Sequence, residues 1–123
     1  MTASELFNTA LELAGYSEKE LLGSSDIGTK IVSIVNTVYA DIYFSANKTG
    51  FEGISNADDE LALDDDALYD CAVYGVAALI QNILGSYEDF EVFDKIYKHK
   101  KKRISRKCEV KQIKDTFARG SDF

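Results

Sequence analysis

Residues 61–103, LALDDDALYDCAVYGVAALIQNILGSYEDFEVFDKIYKHKKKR, decide the fold. Leu68, Ala72, Val76, Leu79 and Ile83 recur at helical spacing, and Val73, Ile80 and Leu84 form a second stripe. The spacing predicts a helix over residues 66–84 that is apolar almost all round and must therefore be covered on several sides. Asp64, Asp65 and Asp66 offer caps and complement the positive helix start. Gly75, Ala77 and Ala78 leave room for a close neighbour, and Gly85 stops the helix. The pattern Ser86-Tyr87-Glu88-Asp89 then opens a further helix with Phe90, Phe93, Tyr97 and Ile104 on one face. That helix either breaks near Ser105 or runs on through Cys108 and Ile113 to Phe117.

Upstream, Thr2-Ala3-Ser4-Glu5 has capping-box spacing, with Thr2 as N-cap. Leu6, Phe7, Ala10, Leu11 and Ala14 follow at helical intervals, and Gly15 serves as the stop. Ser17-Glu18-Lys19-Glu20 predicts one helical turn closed by Gly23. Asp26 is read as the N-cap of a helix over residues 27–47. Its stripe is Ile27, Ile31, Ile34, Val35, Val38 and Ile42, widened by Tyr39, Tyr43 and Phe44. Residues 48–63, KTGFEGISNADDELAL, read as a loop pinned by Phe51, Ile54, Leu61 and Leu63, with room for a short hairpin.

The expected fold is thus all-α: a small bundle of about four helices with one long irregular loop and an extended basic C-terminal helix. Residues 1–118 form one helical domain, and residues 119–123 are read as a frayed tail. Proline is absent, which leaves chain reversal to Gly and Asn. Two cysteines give no disulfide framework, and Cys71, inside the apolar helix, reads as a buried free thiol. A reducing, cytoplasmic setting fits them. No signal peptide is visible, and no apolar run is long enough to span a membrane.

Charge is segregated along the chain. The net −7 divides into −15 over residues 1–94, with 18 acidic and 3 basic residues, and +8 over residues 95–123, with 3 acidic and 11 basic. Such ends attract each other or attract neighbours, and a head-to-tail contact between copies can close a ring. The acidic patch is Asp58, Asp59, Glu60, Asp64, Asp65 and Asp66. It lacks the ligand alternation and central Gly of a calcium loop, so it reads as helix caps and a neighbour-facing surface, with no metal expected. The basic patch is Lys98, Lys100, Lys101, Lys102, Arg103, Arg106 and Lys107, flanked by Tyr97. Consecutive charges on a helix point in all directions, so only part of the run can face one partner.

His99 is the single histidine and stands among cations, without the partners of a metal site. A Cys71–His99 pair lacks an oxyanion element, and no catalytic residue is assigned. No cofactor is expected.

An acidic loop leads to the pair Leu61 and Leu63. A helix with the Tyr74–Ala78 core Tyr-Gly-Val-Ala-Ala follows, then a tyrosine-bearing helix ending in lysines. This order resembles small all-helical head–tail connector or adaptor (neck, head-completion) proteins of long-tailed bacteriophages and prophages. Relatives often carry Pro where Asp64 stands. The resemblance implies a non-catalytic structural protein of virion assembly. Such a protein forms a ring beneath the capsid portal, extends the DNA channel and meets portal and tail or neck proteins. Its partners would be copies of itself, head to tail, and those proteins, with DNA only as passing cargo and no membrane. It implies bacterial host cytoplasm during assembly and the virion neck afterwards. Docking would fall to residues 97–117. The competing expectation is a small helical regulator that binds nucleic acid through residues 95–111.

Overall fold

The computed structural model describes residues 1–16, 30–48, 50–63 and 65–120, with side chains as far as Cys108. Four helices follow one another: α1 (Ala3–Ala14), α2 (Ile31–Ser45), α3 (Asp66–Ile83) and α4 (Tyr87–Gly120). No strand occurs among the described residues, and the chain is an all-α bundle.

The local signals act as their chemistry dictates. Thr2 stands in extended conformation and its hydroxyl accepts the Glu5 N–H, satisfying an amide that the first turn leaves open. Gly15 closes α1 in the left-handed region at φ 84°, where its missing Cβ removes the steric penalty. Asp65 caps α3 by accepting the Ala67 N–H at 2.8 Å. The Ser86 carbonyl accepts the Phe90 N–H and opens α4, while the Ser86 hydroxyl lies 3.3 Å from that of Tyr16.

Helix α3 is the axis of the bundle. Leu68, Cys71, Ala72, Val76, Ala77 and Ile80 are buried, as is Gly75. Helix α1 runs parallel to α3, with Tyr69 reaching Thr9 near one end and Gln81 donating to the Ala14 carbonyl near the other. Gln81 is 2 % exposed and also receives the Tyr16 hydroxyl, so this buried side-chain amide has both ends satisfied. Helix α4 returns antiparallel to α3 across the turn at Gly85. Helix α2 lies alongside both and parallel to α4, with Ser45 opposite Ser105 and Ala46 opposite Cys108.

Several boundaries and faces differ from expectation. Helix α2 ends at Ser45, not 47, because Asn47 takes the left-handed conformation at φ 56°. The expected Asp26 cap, Ile27, the turn at residues 17–20 and Asp64 lie outside the described residues. Phe44 does not widen the α2 stripe. At about 100° per residue it stands half a turn from buried Val35 and is 71 % exposed. Ile83, placed on the α3 stripe, is exposed as well.

The loop holds no hairpin among its described residues. Ile54 and Leu61 are buried and pin it, Phe51 and Leu63 are half-buried against the core, and an isolated antiparallel bridge joins Thr2 to Glu60. Helix α4 does not break at Ser105. Its backbone stays helical to Gly120, two residues into the stretch expected to fray.

Candidate functional site

The basic run is sorted by helical phase. Tyr97, Lys101, Ile104 and Cys108 share the face of α4 that meets the bundle, with Lys100 at its edge. Tyr97 is buried and its hydroxyl donates to the Asp41 carboxylate of α2. Lys101 donates to the same carboxylate at 2.9 Å, and its ammonium sits 5.2 Å from the Tyr97 ring centroid. Lys100 pairs with Asp70 of α3 and lies 5.1 Å over the Tyr74 ring. Three of the residues expected to meet a partner are therefore spent on holding α4 to α2 and α3.

Partial burial pushes the Asp41 carboxyl up, but hydrogen bonds from Tyr97 and Lys101 outweigh it and leave it below its ordinary range. Burial, then the bond to Asp41, pushes the Tyr97 phenol up. The phenol stays protonated and keeps donating.

The remaining cations occupy the opposite half of α4. Lys95, Lys98, Lys102, Arg103, Arg106 and Lys107 are all exposed, with His99 among them. Lys98 is paired one turn back with Asp94 at 2.8 Å, a surface pair that contributes little. Helix α3 starts at Asp66, about level with residue 104 of α4, and α2 ends beside Cys108. The last three turns of α4 thus run past the register of both helix partners, about 18 Å at 1.5 Å per residue.

The acidic patch divides too. Asp59 accepts the Ser55 and Asn56 N–H groups at 2.8 and 2.9 Å, and these bonds, Asn56 first, hold its carboxyl below the ordinary range. Glu60 pairs with the Met1 amino group. Asp65 caps α3, while Asp58 and Asp66 are exposed. Among the described residues no three His, Cys, Asp or Glu side chains gather as metal ligands would.

Between α2 and the loop lies an open groove of about 520 Å³. Tyr39 and Tyr43 wall it from α2, and Glu52, Gly53, Asp59 and Glu60 from the loop. Phe51 stacks edge-on to Tyr39, ring centroids 5.2 Å apart. The sequence reading does not single out Glu52 or this groove. Glu52 stands alone between glycines, and its meeting with Tyr39 and Tyr43 depends on a loop path that periodicity does not encode.

Burial pushes the Cys71 thiol up to about 12, so it remains protonated and a poor nucleophile. His99 is exposed on the outer half of α4, while Cys71 is wholly buried behind that helix, so the two do not form a thiol–imidazole pair. No helix among the described residues is long and apolar enough to cross a membrane.

Comparison with known proteins yields no match, whether to a protein-family model, a curated protein or a solved structure.

Proposed function

We propose that this chain is a non-catalytic structural adaptor of a phage or prophage particle, assembling as a ring between capsid portal and tail components around the DNA channel. The observation that carries the reading is α4. It is anchored to the bundle by Tyr97, Lys100 and Lys101, turns a continuous cationic half outward and outruns its helix partners. A helix that runs on past the described helices of its bundle in this way is suited to be a docking arm. Residues 1–94, at −15, make a body that does not grip the phosphates of DNA passing beside it. The bundle core is filled by its own side chains, and the buried thiol is held protonated. The resemblance of residues 61–97 to neck adaptors supplies the setting: host cytoplasm during assembly, then the virion neck.

The test is native mass by light scattering across protein and salt concentration, with electron microscopy of the largest species. Closed particles of uniform size are expected. A monomer under every condition would count against self-assembly.

The outward cationic half of α4 also favours a second reading, a nucleic-acid-binding regulator using residues 95–111. It requires duplex affinity that falls steeply with salt, on the order of a thousandfold between 50 and 200 mM for six phosphate contacts. The adaptor reading expects weak duplex binding, because the acidic body opposes it.

A further inference from the structure

We infer that the groove between α2 and the loop is the receptor for the cationic half of α4 of a second copy, so that copies join head to tail through two different surfaces of one chain. The inference rests on the adaptor reading and names its contact.

The first observation is chemical. The groove combines the carboxylate of Glu52, and that of Glu60 with its second oxygen beyond the Met1 pair, with the aromatic walls Tyr39 and Tyr43. Tyr43 already draws a cation, with the Lys48 ammonium 5.8 Å from its ring centroid. The second is a hydroxyl at the groove wall. Tyr39 is 4 % exposed, and its oxygen accepts the Ala62 N–H at 2.9 Å. Its own proton has no acceptor among the described residues. A buried donor left in this state takes an acceptor from whatever lies in the groove, a water or a carbonyl of the docked helix, while the carboxylates and ring faces beside it take the positive charge.

The third observation is geometric. On α2, Tyr39 and Tyr43 stand about 200° around the helix from Asp41 and Ser45. Asp41 and Ser45 hold α4 through Tyr97, Lys101 and Ser105. Helix α2 therefore stands between the groove and α4 of the same chain, and Lys102, Arg103 and Arg106 face away from both. The complementary surfaces cannot meet within one copy. They meet between copies, and a contact of this kind is heterologous, closing into a ring or running on as a filament.

The occupant is a second copy because one chain carries both halves of the match, acidic over residues 1–94 and basic over residues 95–123. Lys100 and Lys101 do not enter the contact, since Asp70 and Asp41 already hold them.

The experiment compares the sedimentation mass of wild type, a groove-reversed chain (Glu52→Lys with Glu60→Lys) and a helix-reversed chain (Lys102→Glu with Arg106→Glu) in about 0.1 M salt, where screening over about 10 Å spares direct contacts. Helical circular dichroism monitors folding, and Glu52→Lys alone spares the Met1–Glu60 pair should the double groove variant misfold. Wild type is expected to assemble. Each reversed chain is expected to lose assembly, and an equal mixture of the two to recover it, because each then offers what the other lacks. Both reversed chains stay net negative, so bulk attraction does not explain recovery. Wild-type assembly that persists in both reversed chains, or a mixture that stays monomeric, overturns this contact and leaves the adaptor reading standing. A wild type that never assembles removes both self-assembly and this contact. Assembly that appears only with an added acidic protein, and that survives groove reversal, gives the arm to another partner and overturns the inference.

Discussion

A Cβ added to Gly75 would stand 2.7 Å from Cε1 of Tyr97, on the neighbouring helix α4. The same atom would lie 2.8 Å from Cγ1 of Val38 on α2. Gly75 is thus a point where three helices approach closely, and the ring that fills the space belongs to one of the residues that anchor the basic arm. In an isolated helix Gly→Ala stabilises by roughly 0.5–1 kcal/mol. Here the overpacking cost of about 1–3 kcal/mol wins. Gly75→Ala should lower the urea midpoint while leaving the helical signal at low denaturant intact. An unchanged or raised midpoint would mean that Tyr97 yields freely.

Asp41 holds two of the arm's three anchors, Tyr97 and Lys101, while Asp70 holds the third, Lys100. Tyr97→Phe removes the hydroxyl and leaves the carboxylate with Lys101 alone. The expected loss is about 1.5–3 kcal/mol, typical of a hydrogen bond to a charged group. The folded pKa of Asp41 lies below its unfolded value, so its contribution is present above the unfolded value, near 4, and is lost as pH falls through the folded one. Partial burial raises that pKa and the Tyr97 bond is the largest effect lowering it, so the variant should titrate higher. The gap between wild type and Tyr97→Phe should be full at pH 7 and narrow below pH 4. Denaturation midpoints measured from pH 7 to pH 3 check it, and a gap that widens on acidification would contradict the assignment.

The two cysteines give a test of burial. Cys71 is fully buried, its thiol is pushed up to about 12, and its Sγ faces the Tyr97 carbonyl. Cys108 is half-exposed, with its Sγ on the Ala46 carbonyl. Iodoacetamide at pH 8 should modify one thiol per native chain, mapped to Cys108, and two after unfolding. Rapid modification of Cys71 would show that α4 lifts off the bundle, contrary to its anchoring.

Much of the fold is legible from local chemistry. Thr2, Gly15, Asp65 and Gly85 act within a turn of their own positions, so their signals survive without knowledge of the rest. The small residues around Gly75 announce a close neighbour, though not which one. The division of the basic run is only half legible. Helical geometry says that the run must split, but Lys100 and Lys101 are chosen by Asp70 and Asp41, acidic partners 30 and 60 residues away. Phe44 misleads because an aromatic residue beside Tyr43 reads as apolar stripe until the helix phase is fixed by what Val35 and Ile42 bury against. The groove is least legible. Its aromatic walls and its carboxylates come from separate elements, and the loop carries no periodicity to align them.

One side chain of α2, Asn36, ties down the part of the loop that walls the groove. Asn36 accepts the Ile54 N–H at 2.8 Å and donates to the Ile54 carbonyl at 2.9 Å, pairing with a single residue as a neighbouring strand would. A Cβ on Gly53 would come within 3.0 Å of Asn36 Oδ1, so the loop backbone passes close over the amide. Asn36→Ala cuts both bonds and leaves the partly buried Ile54 amide and carbonyl without their partner, at a cost of about 1–3 kcal/mol. The loop is joined to the rest by Ile54, Leu61 and the Thr2–Glu60 bridge, while the bundle core lies elsewhere. The loss should therefore fall on local opening more than on global unfolding. Hydrogen exchange should accelerate at Ile54 and Ala62 by a factor of ten or more, since each 1.4 kcal/mol is tenfold. Amides of Val76 and Ala77 should change far less. If the groove receives a neighbouring α4, the variant should also assemble more weakly at unchanged helical content. Faster exchange with full assembly would place the contact elsewhere on the acidic body.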